Sequence, residues 1–366
     1  VKQIDAHSQD VLNRYGFDQI PFAQLQDTLK KEGYSPDAAR TRDAIAHPPS
    51  SILQNVPLKD SDAYSEFAEI GRRAIAAGQV GAVILNGGMA TRFGGVPKGV
   101  VPVCAERSFL DFKINQVRAV SGGQASVFLM NSFATDAATR QHLKEINLLE
   151  HVRVFHQFVS LRLNEDGSVF QADDGTPSLY APGHGDFPYA IKASGELETF
   201  INGGGRYLTL SNVDNLGASL DPVIIGMHIA GNKPMSVELA TAYKGDVGGF
   251  PAVVGNKVAI MEFFRLPQDF DPTSISVFNT NTFVFNAETL RDTPPLSWFA
   301  VKKKVDGQEV VQFERLVGQM TEFVDVSWLV VPREGSASRF LPIKLVQDIV
   351  DQQEALRAML TAQGVL

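Results

Sequence analysis

Apolar residues along the chain fall into short blocks separated by polar, glycine-rich breaks, and the spacing inside each block selects an element. Between Ser61 and Ala77, the residues Ala63, Phe67, Ile70 and Ala74 recur on one face at helical spacing. An Asp near the start and Gly78 at the end complete the helix signal. This helix leads into Val80-Gly81-Ala82-Val83-Ile84, an apolar run that predicts the first strand. Further strand-like runs occupy residues 125–130, 152–157, 207–213, 236–243, 258–264, 276–285 and 309–313, with helical patterns at 136–149 and 196–202 between some of them. The alternation predicts an α/β domain with a mainly parallel sheet. The first sixty or so residues are polar and helix-prone, with Phe22 to Leu29 ahead of Gly33 and a break at Pro48-Pro49-Ser50-Ser51. The expected organisation is therefore a helical appendage over 1–60, the α/β domain over 61–330, and a C-terminal segment with a terminal helix over 331–366. For turnover, deletion after Val350 is expected to be milder than truncation after Arg333.

With 366 residues, 44% of them hydrophobic, the chain can bury a large core. Its 33 Lys and Arg against 41 Asp and Glu give a net charge of −8, which argues against a nucleic-acid or acidic-membrane partner. Any anionic substrate must then be met by local positive charge. Cys104 is the only cysteine, which excludes a disulfide framework or zinc cluster, and its apolar surroundings predict a small buried hydrophobe. No signal peptide or long apolar span is visible, so a cytoplasmic setting is expected.

Directly after the first strand comes Leu85-Asn86-Gly87-Gly88-Met89-Ala90-Thr91-Arg92-Phe93-Gly94-Gly95-Val96-Pro97-Lys98-Gly99. Glycines at a strand end let backbone N–H groups approach an anion, and Arg92 and Lys98 add fixed charge. The spacing is neither that of a Walker loop nor the dinucleotide fingerprint, which also speaks against a Rossmann oxidoreductase. The residues alone leave open a phosphate-handling loop or a plain turn. Other segments share this character. His184, between Gly183 and Gly185, is poorly placed to pack and fits a ligand contact as well as a solvated residue. Asp214, in Ser211-Asn212-Val213-Asp214-Asn215, could hold Mg²⁺ against phosphates or close an Asx turn. Asn279 and Asn281 are amides in an apolar strand that need partners, which sugar hydroxyls would supply. Arg339 and Lys344, taken alone, read as surface cations before the last helix.

Together and in this order, these strings resemble the eukaryotic-type UTP–glucose-1-phosphate uridylyltransferase family. Supporting strings are Asn86-Gly87-Gly88, Pro97-Lys98, Leu129-Met130-Asn131-Ser132-Phe133, Pro182-Gly183-His184-Gly185-Asp186, Ser211 to Ala218, Phe278-Asn279-Thr280-Asn281 and Arg339 to Lys344. The Met-Asn-Ser-Phe string favours the UDP-glucose branch over the UDP-N-acetylhexosamine enzymes. The resemblance implies a GT-A-like (Rossmann-like) nucleotidyltransferase core in which UTP and glucose-1-phosphate give UDP-glucose and pyrophosphate, with Mg²⁺. By the same resemblance, Asn86, Gly87 and Gly88 meet the nucleotide, Arg92 and Lys98 face its phosphates, and Gln157 with Gly183 reads the uracil. His184, Asn212, Glu262 and Asn281 would hold the sugar phosphate, Asp214 the metal, and Lys344 would reach back to the phosphates. Another UDP-sugar, or a sensor without turnover, are the alternatives; Lys98, Asp214 and Lys344 speak for the enzyme.

The chain also departs from the family pattern. Ser-x-Tyr-Pro-Arg after the glutamine becomes Phe158-Val159-Ser160-Leu161-Arg162, Lys-Gly-Gly becomes Val247-Gly248-Gly249 with Lys244 nearby, and Ala90 replaces a glycine. The sequence ends at Leu366, where family members continue into a β-helix domain, so a short form or a fragment is expected.

Overall fold

The computed structural model describes residues 4–88, 95–246, 248–271 and 274–366. At its centre lies an eight-stranded sheet in the order Leu53–Asn55, Val326–Val330, Met235–Thr241, Val277–Asn286, Tyr207–Asn212, Val80–Leu85, Ser126–Asn131, Arg153–His156. Neighbours run parallel except at 277–286, which is antiparallel to both strands beside it. This is the mixed, mainly parallel α/β architecture expected, preceded by helices Ala6–Arg14 and Gln19–Glu32.

Every residue of Val80–Leu85 is buried. Its side chains alternate between two cores, Ala82 and Ile84 on one face and Val83 and Leu85 on the other. A strand covered on both faces needs this unbroken apolar run. The helix ahead of it, Asp62–Ala76, is capped by Ser61, whose Oγ accepts from the Tyr64 N–H at 3.2 Å, and leaves through Gly78 at φ +68°. Its buried residues are Ala68, Gly71, Ala74 and Ile75, a face turned from the expected one so that Ala63 is exposed. The turn follows from its neighbour Pro222–Gly231. A Cβ at Gly71 would lie 1.8 Å from the Pro222 carbonyl oxygen, and one at Gly226 1.9 Å from that of Phe67. The two helices approach closely because both contact positions are glycine.

Pro222–Gly231 and Phe109–Ser121 are helices that the periodic pattern passes over. Local signals mark both. Asp221 caps the Val223 N–H at 2.8 Å ahead of Pro222, and Ser108 and Gly122 bracket the other. The helix expected over 136–149 stops at Glu145, and Asn147 turns the chain at φ +56°. Strands at Lys257–Met261 and Gln308–Glu314 form as expected but leave the central sheet. The first joins Ile45–Ala46 and Phe250–Val254, and the second forms a hairpin with Phe299–Val305.

The terminal helix Gln353–Ala362 is no appendage. Leu356, Met359 and Leu360 are fully buried in the main core, so deletion after Val350 would remove core residues, against the milder effect expected. Cys104 is buried, as expected. The parallel strands 80–85, 126–131, 153–156 and 207–212 end on one edge of the sheet, where ligands of such folds bind.

Candidate functional site

The Gly-rich loop leaves the sheet at Asn86, whose amide is buried. Its Nδ2 donates to Asn131 Oδ1 and Thr139 Oγ1, both at 2.9 Å, and its N–H to the Met130 carbonyl at 2.9 Å. These bonds fix the start of the loop from behind. At Gly87 a Cβ would sit 2.3 Å from Gln157 Nε2, which donates to the Gly87 carbonyl at 3.3 Å. Among the described residues nothing lies within 4 Å of where a Cβ at Gly88 would sit. Gly87 and Gln157 are thus brought together from the ends of strands 80–85 and 153–156, across the intervening strand 126–131. Thr91, Arg92 and Val247 lie outside the described residues.

Lys98 and Asp214 meet where the loop returns. Nζ of Lys98 lies 2.8 Å from Asp214 Oδ2 and donates to the Ile343 carbonyl at 3.1 Å. The Ile343 N–H donates back to the Asp214 carbonyl at 3.0 Å, and Asn215 bridges to Pro342. The C-terminal segment is therefore stitched to the loop after strand 207–212, which brings the backbone of Lys344 next to the pair. The Lys344 side chain is exposed, its N–H capped by Asp348 Oδ2 at 2.7 Å. Asn212 and Asn281 also join, with Asn281 Nδ2 donating to Asn212 Oδ1 at 3.0 Å. Asn281 holds φ +57° at a bulge where Glu238 pairs with Thr282 but Leu239 with Asn279. The extra residues turn an amide out of the ladder, toward the strand end.

The Pro182–Asp186 turn is fastened to Arg315. Arg315 N–H donates to the Pro182 carbonyl at 3.0 Å, and Gly185 N–H to the Arg315 carbonyl at 2.9 Å. Gly183 takes φ +99°, a backbone state that favours glycine. His184 Nδ1 accepts from the Val317 N–H at 3.2 Å, which leaves the proton on Nε2. Burial pushes its imidazole down to about 4, so His184 is neutral near pH 7 and offers one donor. Glu262 is half-buried, and burial pushes its carboxyl up to about 7 against the pull of Arg265. Gly249 makes room for it, since a Cβ there would lie 2.6 Å from Glu262 Oε1.

Three polar residues that support this edge escape a reading from sequence. Lys113 is buried on the apolar face of Phe109–Ser121, and its Nζ donates to Ser211 Oγ (2.8 Å), the Asn215 carbonyl (3.1 Å) and the Ala218 carbonyl (2.6 Å). Gln116, one turn on, exchanges two hydrogen bonds with the Leu220 backbone, both at 2.9 Å. A lysine at helical spacing between Phe109 and Val117 is the signal that could have revealed this clamp. Arg339, which alone reads as a surface cation, is buried in a two-pronged pair with Glu238, 2.7 Å on each side. Its carbonyl accepts from Asn215 Nδ2 at 3.1 Å. The loop carrying Asn212 and Asp214 is thus held by a helix on one side and the C-terminal segment on the other.

The sheet edge offers backbone donors, a lysine–carboxylate pair and two joined amides, and the Pro182–Asp186 turn offers a neutral imidazole donor, groups that suit a phosphorylated, hydroxyl-rich ligand. Residues 43–362 match the family described as UTP–glucose-1-phosphate uridylyltransferase. The chain is 30% identical over 345 residues to UTP–glucose-1-phosphate uridylyltransferase 2 of Dictyostelium discoideum, covering 88% of this chain and 66% of that protein. It is 31% identical over 300 residues to the UTP–glucose-1-phosphate uridylyltransferase of Solanum tuberosum, covering 76% and 62%. The chain spans less than two thirds of the length of these relatives. Among solved structures, a UDP-glucose phosphorylase from Trypanosoma brucei aligns with TM-score 0.75 at 23% identity, over 94% of this chain and 78% of that one. A uridine diphosphate N-acetylglucosamine pyrophosphorylase from the same organism aligns with TM-score 0.76 at 18% identity, over 95% and 79%.

Proposed function

The chain belongs to the UTP–glucose-1-phosphate uridylyltransferase family, and we propose that it joins UTP and glucose-1-phosphate into UDP-glucose and pyrophosphate. The observation that carries this reading is the Lys98–Asp214 pair, on the same carboxyl edge of the parallel strands as the Gly87–Gln157 contact. A sugar-phosphate oxygen attacks the α-phosphorus of UTP as pyrophosphate departs in line. No protein nucleophile is needed, so positioning and charge neutralisation carry the chemistry.

Each residue then has one task. Gln157 and the backbone at Gly183 meet the uracil edge, and the N–H groups at Gly87 and Gly88 approach the phosphates. Asn212 and Asn281, already joined, together with Glu262 and the Nε2–H of neutral His184, receive the sugar phosphate. Lys98 is held on its inner side by Asp214 and the Ile343 carbonyl, which keeps its charge aimed before substrate arrives. Arg92 and Lys344 would add charge. A Mg²⁺ bound with the nucleotide would be held by Asp214 and would neutralise phosphate charge. Among the described residues no three His, Cys, Asp or Glu side chains gather into a group that could hold a metal ion.

A cytoplasmic setting belongs to the same reading, supported by the one buried cysteine. Among the described residues no helix is long and apolar enough to cross a membrane. Pyrophosphate release, measured with UTP against glucose-1-phosphate, galactose-1-phosphate and N-acetylglucosamine-1-phosphate, tests the proposal. The highest kcat/KM is expected with glucose-1-phosphate. Preference for the N-acetylated sugar would move the chain to the other branch, and tight UDP-glucose binding without turnover would make it a sensor.

A further inference from the structure

Gln157 and Gly183 can read one base edge only if their separation is fixed, yet they lie on different segments. The altered stretch Phe158 to Arg162 begins at the very next residue. Asp186 connects the two. Its Oδ2 accepts from the Phe158 N–H at 3.1 Å, and its own N–H donates to the Gly183 carbonyl at 3.2 Å. Its Oδ1 accepts from Arg315 Nε at 3.1 Å and also pairs with the second guanidinium nitrogen. The Asp186 side chain has no exposed surface, and a buried carboxylate can hold this bridge only with a charged partner. Arg315 is itself fixed: its guanidinium lies 4.2 Å from the Trp298 ring centre and 4.3 Å from that of Tyr189, with Phe158 at 5.8 Å. The hairpin that Arg315 ends is sewn to the same wall, since Tyr180 Oη donates to the Phe313 carbonyl at 2.9 Å and accepts from its N–H at 2.8 Å.

We propose that Arg315, acting through Asp186, is a positioning residue that sets the separation of Gln157 and Gly183 and thereby the preference for the base of the nucleotide. This rests on the uridylyltransferase reading. Phosphoryl transfer itself, centred on Lys98 and Asp214, does not pass through the pair. An ion pair that serves only the fold would affect every nucleotide alike, whereas a positioning pair affects the one whose edge it was set to meet.

The test compares wild type with Arg315→Lys, Arg315→Met and the double variant Arg315→Met/Asp186→Asn, which removes both partners and leaves no unpaired buried charge. Thermal melts identify the folded variants. KM and kcat are then measured with UTP and CTP, and UTP and CTP affinities by calorimetry. In the double variant the UTP-to-CTP ratio of kcat/KM should fall about tenfold or more, through KM for UTP. Arg315→Lys, which keeps the charge but loses the planar stacked fork, should fall between. An unchanged ratio in folded variants overturns the proposal and leaves the pair a fold element. A wild type that binds and uses CTP as well as UTP overturns instead the base assignment on which it stands.

Discussion

Lys98 Nζ and Asp214 Oδ2 stand 2.8 Å apart, each side chain about one fifth exposed, and Nζ also donates to the Ile343 carbonyl at 3.1 Å. One ammonium thus ties the exit of the Gly-rich loop to the end of strand 207–212 and to a segment some 250 residues later in the chain.

The pair predicts a linked loss. Asp214→Asn keeps the shape but not the charge, so turnover should fall about 10²–10³-fold and the requirement for divalent cation should flatten. Lys98→Ala should lower kcat more than it weakens UTP binding, and the two losses should add to less than their sum. Steady-state kinetics over a Mg²⁺ titration, with calorimetric UTP affinities, check this. Full additivity would show that the two act independently.

Lys344 follows Ile343 directly, and Ile343 is buried and bonded to the Asp214 backbone while Lys344 is exposed. Lys344→Ala should therefore reduce turnover at least about tenfold with almost no change in melting temperature, as expected for one lost charge-assisted phosphate contact. Normal kcat in this variant would remove Lys344 from the phosphate site.

Glu262 makes a pH prediction. Its carboxyl titrates near 7 in the folded chain against 4.5 ordinarily, because burial disfavours the charge. A raised pKa contributes stability that is complete below pH 4.5 and is lost as pH climbs through about 7. Relative to Glu262→Gln, wild type should lose stability between those values in urea titrations. KM for the sugar phosphate should improve in wild type as the carboxylate forms, beyond the substrate's own titration, which the variant shares. Parallel pH profiles for both proteins would exclude Glu262 from sugar binding.

The last helix gives a stability prediction. Leu356→Ala empties a fully buried position of the main core and should cost about 2–5 kcal/mol, read by denaturant unfolding. Deleting the residues after Val350 removes Leu356, Met359 and Leu360 together and should prevent cooperative folding. A truncated chain with wild-type stability would contradict the packing described.

What the sequence by itself determined is local. The unbroken apolar run at 80–84, the Ser61 and Gly78 boundaries, and the glycines and amides at strand ends are properties of a few adjacent residues. They suffice for the α/β class and for the strings that carry the family resemblance. What only the tertiary structure decided depends on partners far along the chain. The helices 62–76 and 222–231 pack closely because Gly71 and Gly226 leave room at their contact, and strand 308–314 joins a hairpin because pairing partners, not alternation, choose a sheet. Arg339 reads as a surface cation until Glu238 is found beside it, 101 positions away. The same holds for Lys113, whose burial is tolerated only because Ser211, Asn215 and Ala218 supply three acceptors. A charge's cost depends on what surrounds it, and folding alone brings those groups together.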